Sequence, residues 1–275
     1  MFMKQDRLLD MLLRTLLAEN SALQNAPIPA DFSGKLGLLR TLSNIRPPRP
    51  IAPDILKIQD EILAAEREAR GQINPYVLVT VGAQFQEFAF PLARKLALWK
   101  GDITTLAADA IVNAANSKLL GCFIPHHKCI DNAIHSAAGI QLRLECSEIL
   151  KNQRHDEPTG QAKLTKAHNL PGKYIIHTVG PIIDDDEVTT EDARLLASCY
   201  KACLELADGF ADIRTLAFCC ISTGEFRFPK AEAARIAVKT VCDWVISNPD
   251  RFDRIIFNVF TQIDYDEYAN LFRQS

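Results

Sequence analysis

Two cysteines and two histidines fall within one short stretch, Cys122, His126, His127 and Cys129. Thiolate sulfur and imidazole nitrogen are the donors that zinc favours, and three of them with a fourth position open is the arrangement of a catalytic ion. Either histidine suits a ligand on residue type alone. Asp131 follows at the start of a helical segment, where a carboxylate positions a water, acts as a base or caps the helix. His135, roughly a turn further on, reads as a packing residue. Upstream, Asn113 and Asn116 leave the apolar run Ala110-Ile111-Val112 and carry amides to a strand exit, where α/β sheets form clefts. Downstream, the Ser222-Thr223-Gly224 turn lies between an apolar strand and a helix opening at Pro229, so its backbone N–H groups can hold a pyrophosphate. Gly101-Asp102 closes another strand and offers an acceptor-only carboxylate in a turn.

These residues need a framework. Leu8, Leu9, Leu12, Leu13, Leu16 and Leu17 recur at helical spacing, so Gln5 to Glu19 reads as an amphipathic helix. Proline-rich stretches then flank a short helix over Leu36 to Ile45, and a third helix is expected from Asp54 to Arg70. Residues 1–72 thus read as a helical extension and 73–275 as a separate domain. After Asn74-Pro75 the period changes. Strands are expected at Tyr76–Val81, Leu96–Lys100, Ala110–Asn113, Lys163–Ala167, Tyr174–Thr178, Thr215–Ile221 and Arg254–Phe260. Helical segments near 130–150, 190–208 and 230–247 separate them, which implies an α/β layer architecture. Runs apolar throughout, such as Ala217-Phe218-Cys219-Cys220-Ile221, imply strands covered on both faces.

A length of 275 residues suffices for this arrangement and a substantial core. The net charge of −3 gives no electrostatic footprint for nucleic acid, and no apolar run is long enough to span a membrane. Eight cysteines without an apparent signal peptide favour the reducing cytoplasm over a disulfide framework.

In order and spacing, the segments around Asp102, Asp109–Asn116, Gly121–Gly139 and Ile221–Pro229 resemble the macrodomain family, over roughly residues 76 to 260. The resemblance implies a three-layer α/β/α fold with a mixed central sheet and ADP-ribose lying across the strand ends. It assigns Asp102 to the adenine amino group, with the Ile103 backbone completing that contact. Asn116 goes to the distal ribose with Asn113 supporting its loop, Ser222, Thr223, Gly224 and Glu225 to the pyrophosphate, and Phe226 to a position against the distal ribose. Arg227 stands where the family usually has a small residue.

Where most macrodomains carry a run of glycines, this chain carries the cysteine and histidine loop, which is similar to that of the zinc-dependent subfamily. The Cys-x4-His-x-Cys spacing there is met by Cys122, His127 and Cys129, with His126 the competing ligand. The resemblance implies a zinc-dependent hydrolase that removes mono-ADP-ribose from modified proteins, with Asn116 and Asp131 as catalytic residues. The subfamily's substrates are placed by a partner sirtuin-like transferase, often on a lipoyl-carrier protein. The alternatives are a reader that binds ADP-ribose and leaves it intact, or a deacetylase of O-acyl-ADP-ribose.

Overall fold

The computed structural model describes residues 2–184 and 187–273. Met1, Gln274 and Ser275, which the two expected segments include, lie outside the described residues, as do Asp185 and Asp186. Six strands form one sheet: β1 (Leu96–Lys100), β2 (Ala110–Ala114), β3 (Ala162–Lys166), β4 (Tyr174–Thr178), β5 (Thr215–Phe218) and β6 (Arg254–Val259). Their order is β1-β6-β5-β2-β4-β3, and every neighbouring pair is parallel except β3 with β4. The sheet is therefore mixed, as expected. In the middle, β2 and β5 bury Ile111, Val112, Leu216 and Phe218 almost completely, which requires cover on both faces.

That cover comes from helices. Between β2 and β3 lie α5 (Ile130–Ala138) and α6 (Ile140–Gln153), packed on β2 and β3; α7 (Thr190–Asp208), α8 (Lys230–Ser247) and α9 (Gln262–Arg273) stack side by side in the other layer. The extension supplies α1 (Phe2–Ala18), α2 (Phe32–Ile45) and α3 (Pro53–Arg70), and the short α4 (Val81–Gln84) follows. Leu9, Leu12, Leu13 and Leu16 of α1 form a second apolar cluster with Leu39, Leu42 and Ile62. Ile140 of α6 belongs to that cluster too, so the extension is docked on the sheet domain.

Tyr76–Val81 is not a strand. The Asn74 side chain accepts from the Tyr76 N–H at 2.9 Å and Pro75 opens a 3-10 turn, while Thr80 caps α4 by accepting from the Ala83 N–H. Side-chain capping at both ends outweighs the β propensity of Tyr76-Val77-Leu78-Val79. The helix expected near 130–150 is broken at Gly139, whose φ is +93° and whose Cα faces Gln59 so closely that a Cβ would lie 2.5 Å from its amide nitrogen. The final helix, α9, was not among the expected elements. Its start is a reciprocal cap, in which the Thr261 hydroxyl donates to Asp264 and accepts from the Asp264 N–H.

Candidate active site

Because β1, β6, β5 and β2 run parallel, their carboxyl ends share one edge, and the loops that leave them converge there. A cleft of about 1070 Å³ opens at this edge. Of the expected site residues, all but Asn113 line it.

At one end, the donor atoms of Cys122, His127 and Cys129 lie within 4.8 Å of one another, and Cys122 Sγ is 3.5 Å from His127 Nδ1. Tetrahedral zinc ligands stand roughly 3.3–3.8 Å apart, so the trio would need to draw together only slightly to hold such an ion. The donor chemistry fits as well: burial, with Cys122 and Asp131 close by, pushes the Cys129 thiol up to about 12, and a cation is the counter-charge that would stabilise the thiolate. His126 stands apart from this trio. Its backbone adopts φ +57°, and its Nε2 lies 2.8 Å from the Thr41 hydroxyl of α2. A second trio, His135, Cys146 and His177, is close enough to hold a metal but wholly buried, and none of its members lines the cleft.

Asn113 lies behind the cleft wall, with no exposed surface. Its amide donates to Asp131 Oδ1 at 2.8 Å and faces His177 Nδ1 at 3.1 Å. Asn116 donates to Asp131 Oδ2 at 3.3 Å and to the Gly121 carbonyl at 3.2 Å. Two side chains from the β2 exit thus fix both carboxylate oxygens. Asp131 is not the helix cap, because the Cys129 sulfur takes that place by accepting from the Asn132 N–H at 3.4 Å. Burial pushes the Asp131 carboxyl up to about 6, against the Asn113 hydrogen bond and the Arg143 charge. His135 is buried as expected, and its Nε2 lies 3.5 Å from Asp131 Oδ1.

The 222–226 loop forms the opposite wall. Among the described residues, the backbone N–H groups of Thr223, Gly224, Glu225 and Phe226 have no hydrogen-bond partner, which leaves them available to an anion. Two bonds close the turn, Arg227 N–H to the Gly224 carbonyl and Phe228 N–H to the Ser222 carbonyl, each at 3.0 Å. The left-handed backbone at Arg227, φ +56°, sends its side chain away to the Asp184 carbonyl at 3.2 Å, and Arg227 does not line the cleft. Glu225 reaches across toward the cysteine and histidine loop, with Oε1 3.3 Å from His127 Nε2.

At the far end, Asp102 caps a 3-10 turn over Ile103–Thr105, its Oδ1 accepting from both the Thr104 N–H (2.9 Å) and hydroxyl (2.6 Å). Its carboxylate is half exposed, and Ile103 is buried beneath it. Several lining residues were not among those expected. Phe260, just beyond β6, presents an exposed ring, and Arg40, Leu63, Glu66, Arg67 and Arg70 come from the extension. Nothing local marks those five, since they reach the cleft through the docking of α2 and α3.

The family model of the Macro domain matches residues 112–237. A Protein-ADP-ribose hydrolase of Treponema medium is 46% identical over 260 residues, covering 94% of this chain and 96% of that protein. One of Staphylococcus aureus is 42% identical over 247 residues, covering 90% of this chain and 88% of that protein. The solved Trypanosoma brucei macrodomain in complex with ADP-ribose is similar at a TM-score of 0.64 and 28% identity, covering 84% of this chain and 94% of that one. With relatives this similar along nearly its whole length, and the mixed sheet and cleft described above, the chain belongs to the macrodomain family.

Proposed function

We propose that this protein hydrolyses mono-ADP-ribose from modified proteins, using a zinc ion held by Cys122, His127 and Cys129. The observation that carries the reading is the meeting, in one cleft, of three soft donors with the Asn116 and Asp131 side chains. The names of the two hydrolase relatives support the hydrolytic part.

In this reading the 222–226 backbone amides hold the pyrophosphate, Asp102 and the Ile103 backbone take the adenine, and Phe226 packs against the distal ribose. When bound, the metal supplies a Lewis acid beside that ribose. Asn116 orients the distal ribose and, with Asn113, holds the Asp131 carboxylate facing the cleft. Asp131 positions the attacking water and accepts its proton while the bond from the distal ribose to the modified side chain breaks. The substrate is a mono-ADP-ribosylated protein, in the specific form a lipoyl-carrier protein modified by a sirtuin-like transferase. The cytoplasm suits eight cysteines that are all free thiols, and among the described residues no helix is long and apolar enough to cross a membrane.

The test is a product assay on a mono-ADP-ribosylated carrier protein. The purified chain is expected to release free ADP-ribose, and Asp131→Asn to slow that release by about a hundredfold or more, the scale of general-base catalysis. Binding of ADP-ribose with no release from any modified protein identifies a reader. Cleavage of O-acetyl-ADP-ribose alone identifies a deacetylase.

A further inference from the structure

Arg70 is the last residue of α3, and its guanidinium reaches from the extension into the cleft. One of its terminal nitrogens, Nη1, donates to the Thr104 hydroxyl at 3.0 Å and lies 3.3 Å from Asp102 Oδ2. Thr104 in turn donates to Asp102 Oδ1 at 2.6 Å. The chain is held in this place on either side of the contact. After Arg70, Gly71 turns the backbone at φ +75°, and Ile73 pairs with the residues just beyond Asp102, its N–H to the Thr105 carbonyl and its carbonyl to the Ala107 N–H, both at 2.9 Å. Before it, Gln59 of α3 accepts from the Ile140 N–H at 3.0 Å and donates to Gln141 at 2.7 Å, and Arg67 donates to the Asn169 carbonyl at 2.7 Å.

An ion pair as exposed as Arg70 with Asp102 adds little to stability. What it does add is orientation. Without Arg70, a half-exposed carboxylate is held through Oδ1 alone and turns about that contact. With it, Oδ1 is taken up by Thr104 and Oδ2 is fixed on its other side, which leaves Oδ2 lone-pair capacity for a donor in the cleft.

We propose that Arg70 is a positioning residue for nucleobase recognition: it orients Asp102 so that the cleft selects a base bearing an exocyclic amino group over one bearing a carbonyl at the same place. The extension is then part of the specificity of the site. This inference rests on the assignment of Asp102 to the adenine amino group.

Affinity for ADP-ribose and for inosine diphosphate ribose, which differs by a carbonyl in place of the amino group, tests it by calorimetry on the full chain. The unmodified protein should prefer ADP-ribose. Arg70→Ala should weaken ADP-ribose by about tenfold, the scale of one impaired hydrogen bond to a charged group, and leave the inosine analogue nearly unchanged, so that the preference shrinks. Turnover at saturating substrate should stay at its original value while KM rises, because the metal loop is untouched. Arg70→Lys should recover part of the preference, since both contacts come from the single nitrogen Nη1, which the ammonium of a somewhat shorter side chain can replace. An unchanged preference in Arg70→Ala, or an equal loss for both ligands, overturns the inference while leaving Asp102 in its role. No preference in the unmodified protein overturns the Asp102 assignment and the inference with it.

Discussion

His126 and His127 are neighbours with the same side chain, and the backbone sends them to different tasks. The left-handed conformation at His126 points its ring at α2, where its Nε2 lies within hydrogen-bond distance of the Thr41 hydroxyl. His127 is left beside Cys122 and Cys129. Purified protein should therefore carry close to one zinc per chain, and elemental analysis should show the metal largely lost from His127→Ala and kept in His126→Ala. The reverse pattern would show that the ligand assignment is wrong. The donor trio was legible because its members are seven positions apart at most and their chemistry is distinctive. The task of Asn113 was legible only in part. Its partner Asp131 lies 18 positions away, and its neighbour His177 is brought beside it by the register of β2 on β4.

At the scale of elements, the joint between α5 and α6 shows what docking the extension requires. The first N–H of α6, at Ile140, is buried and satisfied by Gln59 from α3. Gln59→Leu keeps the volume and removes that acceptor, which should cost about 1–3 kcal/mol, the penalty for an unpaired buried N–H. Urea unfolding followed by circular dichroism should show the midpoint falling with the slope unchanged. A midpoint that stays in place would mean that water or a shifted side chain replaces Gln59. The same contact explains why the periodicity of residues 130–150 reads as one helix: the break depends on Gly139 making room for a side chain some 80 positions earlier. By contrast, the Asn74-Pro75 and Thr261-x-x-Asp264 caps are local signals; the first outweighs an apolar run that reads as a strand, and the second opens α9, an element absent from the expectations.

For the whole molecule, layer order and cleft position follow from patterns within single elements, and both were legible. Five parallel strands aim their loops at one edge, so residues far apart in sequence meet without special contacts. The reach of the extension over both ends of the cleft was not legible, because it rests on long-range pairs such as Thr41 with His126, 85 positions apart, and Arg70 with Asp102, 32 apart. Arg143 completes the clamp on the loop that carries Cys122, His127 and Cys129. It donates to the Leu120 carbonyl at 2.6 Å and to the Ser43 and Asn44 carbonyls of α2 at 2.8 and 2.9 Å. With the loop braced in this way, losing the metal should leave the cleft standing, and binding should separate from catalysis.

The central claim, hydrolysis that depends on zinc at Cys122, His127 and Cys129, is tested most directly on one chelator-treated preparation whose metal content is verified by elemental analysis. Release of ADP-ribose from a modified protein and affinity for free ADP-ribose are measured on it side by side. Release should fall by at least about a hundredfold, the scale of losing metal-ion stabilisation, while affinity changes by less than about tenfold, and added Zn²⁺ should restore the rate. Verified metal-free protein that hydrolyses the substrate at the original rate would contradict the claim.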